Sequence, residues 1–164
     1  MDQRFLLPLL LLGLVLAACV VAWCQAHSRG HRVHYEDTDF RDAAGFRVLT
    51  LPQDDTITYG DIWLIDSAVG EMRFEIDPFC PGILRIAIGG TELQLEDFCR
   101  NYDAHSIYEE NGTRVMFHQN PGGPYLFTWS HGGFDHALYF PAAEMGLAGG
   151  LSHSFILKTI SSQR

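Results

Sequence analysis

Past residue 45 the apolar positions recur every second residue. Met72, Phe74 and Ile76 alternate with Arg73, Glu75 and Asp77, the period-two signature of a strand with one buried face. Similar runs at 46–51, 56–65, 70–76, 83–88, 92–98, 106–110, 113–118, 125–130, 136–140 and 152–160 are punctuated by Gly, Pro, Asn and Asp. Helical spacing is nearly absent from this region; only 95–102 and 142–147 could make a turn of helix. About ten short strands joined by hairpins predict an all-β fold, a single antiparallel β-sandwich or barrel-like domain.

Two turns set registers. Ile88-Gly89-Gly90-Thr91 reads as a two-residue hairpin, because Gly-Gly supplies the positive φ such turns require. Pairing outward sets Ile86 against Leu93, Leu84 against Leu95 and Cys80 against Cys99, which predicts a Cys80–Cys99 disulfide. Closing a loop of about nineteen residues would contribute about 3 kcal/mol. Glu110-Asn111-Gly112-Thr113 carries Asn-Gly, the strongest short hairpin signal. Its ladder pairs Glu109 with Arg114, Tyr108 with Val115 and Ile107 with Met116, and sets His105 opposite His118. Asn111-Gly112-Thr113 is also a glycosylation sequon, meaningful in a eukaryotic secretory pathway.

The start of the chain is of a different kind. Residues 5–16 are an apolar run preceded by Arg4, the length of a signal-peptide core. Residues 1–26 are thus expected to be a signal peptide, a lipoprotein signal or an N-terminal membrane anchor. Leu16-Ala17-Ala18-Cys19 resembles a bacterial lipobox, with Cys19 the acylated residue; Cys24-Gln25-Ala26 suits ordinary cleavage before His27; and the run to Trp23 approaches a membrane-spanning length. Paired cysteines in the following domain agree with an oxidising, extracytoplasmic location, secreted or anchored.

Residues 27–45 read as a polar linker, basic and then acidic, without apolar periodicity. Residues 46–164 read as a disulfide-containing all-β domain. Charge excludes one class of partner. Lys+Arg number 11 against Asp+Glu 20, a net charge of −9, whereas nucleic-acid binders need clustered positive charge. The only membrane contact expected is through the N-terminal segment.

No Gly-x-Ser-x-Gly, Walker loop, His-Glu-x-x-His or Cys-x-x-Cys motif occurs, so the sequence points to a non-catalytic domain without a cofactor. Function is sought in 120–141. There Tyr125, Phe127 and Trp129 share one strand face, as core or as a recognition patch for an extracytoplasmic protein or glycan. The alternative is a zinc- or copper-binding β domain using His105, His118, His131 and His136, which flank predicted hairpins.

Overall fold

The computed structural model describes residues 30–51, 57–76, 80–98, 101–142 and 145–161. The leader, Cys19 and Cys99 lie outside them. The chain divides into two compact units, residues 1–31 and 32–164, and everything below concerns the second.

Its frame is one antiparallel sheet of eight strands: β1 (Arg32–Tyr35), β4 (Ile57–Ile65), β5 (Val69–Ile76), β6 (Cys80–Ile88), β7 (Ala104–Glu110), β8 (Thr113–Gln119), β9 (Tyr125–His131) and β10 (Phe134–Phe140). Their spatial order is β1-β4-β5-β6-β10-β9-β8-β7, so β1 and β7 form open edges and no barrel closes. A two-stranded hairpin of β2 (Asp39–Phe40) and β3 (Phe46–Arg47) flanks a single helical turn, α1 (Arg41–Ala44). The chain ends in a helix, α2 (Met145–Ser161). No helix among the described residues is long and apolar enough to cross a membrane.

Successive side chains alternate between the two faces of the sheet. One face, here the helix face, carries the main core: Met72, Phe74, Leu84, Phe127, Trp129 and Leu138, with Phe155 and Ile156 of α2 and Phe40 and Phe46 of the small hairpin laid over them. Glycine makes room for these aromatic lids. Phe74 lies so flat over its neighbour Gly82 that a Cβ there would meet the ring at 2.2 Å, and Phe40 covers Gly70, where a Cβ would meet its ring at 2.7 Å. Phe74 thereby reaches Phe155, with ring centroids 5.5 Å apart, and Phe140 at 6.0 Å.

The two-layer expectation is corrected in kind. A sandwich needs a second sheet, and here its place is taken by α2 and the β2–β3 hairpin. Residues 152–160, expected as a strand, lie within α2. Its buried residues Ala148, Ser152, Phe155, Ile156 and Thr159 follow helical spacing, and hydroxyls at two of those positions hide the stripe from a hydropathy pattern. The hydroxyls are satisfied inside the helix: Ser152 Oγ donates to Gly149 O at 2.8 Å and Thr159 Oγ1 to Phe155 O at 2.9 Å. His153 Nδ1 meets Glu110 Oε2 of β7 at 3.0 Å.

The expected linker is corrected too. From Arg32 it is structured, as β1 paired with β4, then β2 and α1. Tyr35 and Phe40 give it the apolar contacts that a reading based on its charges missed, their rings meeting edge to face at 4.9 Å.

The first hairpin is also overturned. The turn itself forms, with Thr91 N donating to Ile88 O at 2.9 Å, but residues 92–98 do not return along β6. A strand has two edges, and those of β6 are taken by β5 and β10. The chain crosses the other face of the sheet instead, so no hairpin register sets Cys80 opposite Cys99. Cys80 is buried and has no disulfide among the described residues, its Sγ lying 3.5 Å from Ala142 O; the predicted bridge itself is not tested, because Cys99 lies outside them. The place of Cys80 on the apolar face with Leu84 and Ile86 is as expected. The Asn-Gly hairpin holds in every pair, including His105 opposite His118.

Gly82→Val puts side-chain atoms where the Phe74 ring sits. The expected cost is about 1–3 kcal/mol from overpacking, read as a lower denaturant midpoint; an unchanged midpoint contradicts this packing.

Candidate functional site

On the opposite face, here the loop face, residues run across the strands in rows. The central row is Ile107, Met116, Thr128, Ala137, Arg85, Glu71, Trp63 and His34. At its middle two charges are fully buried. Glu71 Oε2 accepts from Arg85 Nη2 at 2.6 Å and from Nε at 2.9 Å, while Oε1 accepts from Arg32 Nη1 at 2.9 Å and Arg73 Nε at 3.1 Å. Both side chains are at most 1 % exposed, and a carboxylate so placed needs every lone pair occupied.

Arg85 also fixes the chain above it. Its Nη1 donates to the carbonyls of Leu93 and Gln94, and its guanidinium lies 4.4 Å from the centre of the Phe98 ring, a cation–π distance. Gln94, held at φ 52°, reaches Asp66 Oδ2 through Nε2 at 2.7 Å. Phe98 stacks on Tyr139 at 4.3 Å. Leu93, Leu95 and Tyr102 pack with them around Leu126 and Ala137. The connection after β6, through residues 91–98 and Tyr102, thus covers the middle of the loop face.

It does not cover the end. Beyond it Ile107 is 54 % exposed and Met116 43 %, and a groove of about 1020 Å³ opens between the connection and β8–β9. Leu93, Leu126 and Met116 give it an apolar lining. Polar groups stand on either side: Arg114, Ser130 and Asp135 in one row, His105 and His118 in the other. Ser130 Oγ donates to Asp135 Oδ1 at 2.5 Å and Gly90 N to Oδ2 at 2.9 Å; the serine bond foremost holds the Asp135 carboxyl below its ordinary range. The Arg114 guanidinium, on the same rim of the groove, makes no hydrogen bond or ion pair among the described residues. Thr128 Oγ1 is buried and without a partner among the described residues. His105 Nδ1 and His118 Nδ1 are 2.7 Å apart, so one ring donates and the other accepts. Burial, and then His105, push His118 down from its ordinary pKa.

The residues expected to act fall in different places. His105 and His118 meet on the loop face. His131 and His136 alternate to the helix face, His131 beside Thr113 Oγ1 at 3.2 Å and His136 stacked on Trp129 at 4.9 Å. The four therefore do not converge. No group of three or more His, Cys, Asp or Glu side chains placed to hold a metal ion occurs among the described residues. Tyr125, Phe127 and Trp129 are buried core, which removes them as a surface patch. Asn111 is exposed at its hairpin tip with φ 47°. The sequence reading missed Glu71 and Arg85. Their signal was there: Arg85 is a lone charge in Ile83-Leu84-Arg85-Ile86-Ala87-Ile88, a run apolar on both faces.

No protein-family model, no curated protein and no solved structure matches the chain.

Arg85→Met leaves Glu71 buried without its main partner. The expected cost is about 3–5 kcal/mol, with faster amide exchange in 91–98. Glu71→Met/Arg85→Met should cost less than the two single changes added, and strict additivity in the double-mutant cycle contradicts a direct pair.

Burial holds His136 down at about 4, against 6.5 for the free imidazole. The unfolded chain binds the extra proton first, so the stability contributed by neutral His136 is complete above about pH 6.5 and lost as pH falls toward 4. Between urea measurements at pH 7 and pH 4.5 the wild type should lose about 2 kcal/mol more than His136→Phe; equal losses contradict it.

Proposed function

We propose that this chain is a non-catalytic binding domain, exported or held at a membrane by its N-terminal segment, that takes an extracytoplasmic partner on the open end of its loop face. The observation that carries the reading is the uncovered half of a face whose other half is locked shut. Scattered exposed apolar residues are ordinary, but Ile107 and Met116 are cross-strand neighbours that continue into an apolar groove. An unpaired Arg114 beside them gives the surface a polar anchor.

An extended protein segment suits this geometry better than a compact molecule. The outer edge of β7 pairs with no strand among the described residues, so its backbone groups are available to a chain laid beside it. Its side chains would then reach Ile107 and Met116.

Selection of displayed random peptides and of arrayed glycans against the purified domain tests the proposal. Ligands recovered on the wild type should lose at least tenfold in affinity on Met116→Glu and Ile107→Glu, with the thermal midpoint little changed because both side chains are exposed. Ligands whose affinity ignores both changes would place recognition elsewhere. Intact mass of the exported material reads the leader: a start at His27, an acylated Cys19 or a retained Met1, while protein confined to the cytoplasm overturns the location.

A further inference from the structure

His105 and His118 stand on adjacent strands, directly opposite in register, with no third ligand at hand among the described residues. Their meeting is unusual chemistry for an exposed edge. A hydrogen bond between two half-exposed imidazoles gains little over water, yet the two Nδ1 atoms are held against each other, 2.7 Å apart with ring planes at 83°. Strands joined by the tight Asn111-Gly112 turn hold that spacing.

That spacing, which a hydrogen bond already accounts for, also lies close to the bite of a square-planar ion. Two nitrogens in neighbouring positions of a square-planar ion, at bond lengths of about 2.0 Å, lie about 2.8 Å apart; two at a tetrahedral zinc lie about 3.3–3.4 Å apart. Square-planar nitrogen coordination is the preference of Cu(II), which also binds imidazole most tightly of the divalent first-row ions. From this juxtaposition we propose that His105 and His118 form a two-nitrogen chelate for Cu(II), with solvent completing the square.

The surroundings are compatible with a cation entering. Tyr102 packs against His118 with ring centroids 5.4 Å apart, His105 is exposed, and the chain as a whole carries −9. Arg114 is two positions along the same face from Met116 rather than beside the pair. The pair lines one side of the groove, but copper binding and peptide binding are read by separate measurements, so either can fail without the other.

Purified full-length protein, stripped with chelator and titrated with CuSO₄ at pH 7.4, should bind copper at one site whose electron paramagnetic resonance spectrum shows splitting from two equivalent nitrogens. Zinc should bind at least tenfold more weakly. His105→Gln and His118→Gln should each weaken copper at least tenfold and leave a single-nitrogen pattern or none. A His31→Gln/His34→Gln variant, altering the N-terminal tract, should behave as wild type at this site. The proposal is overturned if the two-nitrogen signal survives both single changes, if it disappears in the His31/His34 variant, if zinc binds as tightly as copper, or if no copper binds.

Discussion

The buried carboxylate of Glu71 is the constraint on which this molecule turns. Removing an ion from water costs several kcal/mol even after relaxation, and here the cost is met by three arginines drawn from different strands. Arg85 comes from β6, Arg73 from β5 itself and Arg32 from the edge strand β1. One side chain therefore ties the first strand of the unit to its centre. Through Arg85 it also ties down a connection that makes no ladder hydrogen bonds with the sheet. Because a misplaced partner leaves a buried charge exposed to nothing, the arrangement tolerates little drift, and the height of the 91–98 segment over the sheet is set accordingly.

That height divides the loop face into two environments. Under the connection, Phe98, Tyr139, Leu126 and Ala137 form a small secondary core. Past its edge the same rows of side chains emerge into solvent as Ile107 and Met116. The groove follows directly from a chain that must travel from the middle of the sheet, at β6, to its far edge, at β7, crossing only part of the face on the way. A longer or differently anchored crossing would have buried the patch.

The helix face solves the opposite problem with aromatic rings and glycine. Phe74 over Gly82 and Phe40 over Gly70 bring large rings flush with the backbone, which lowers the layer enough for α2 and a two-stranded hairpin to seal it. A single helix then does the work of a second sheet. Trp129 and His136, stacked at the end of this layer, belong to that packing and give it a pH dependence, while the histidines on the far side of the same sheet belong to the solvent-facing surface.

What the sequence determined by itself was local. Asn111-Gly112 dictated its turn, and period-two alternation then carried the register through to His105 and His118 without error, because both are decided by residues within one hairpin. The strands β5, β9 and β10 were legible for the same reason. Residues 92–98 alternate as well as any strand, but whether they pair depends on an edge of β6 that a strand some forty residues later takes, and no local pattern records that competition. Residues 152–160 became a helix because their Ser and Thr hydroxyls can be satisfied within it against a face already complete. The meeting of Glu71 with Arg85, and with it the groove, was likewise decided in three dimensions: a carboxylate and a guanidinium each look misplaced in an apolar strand until the fold sets them side by side.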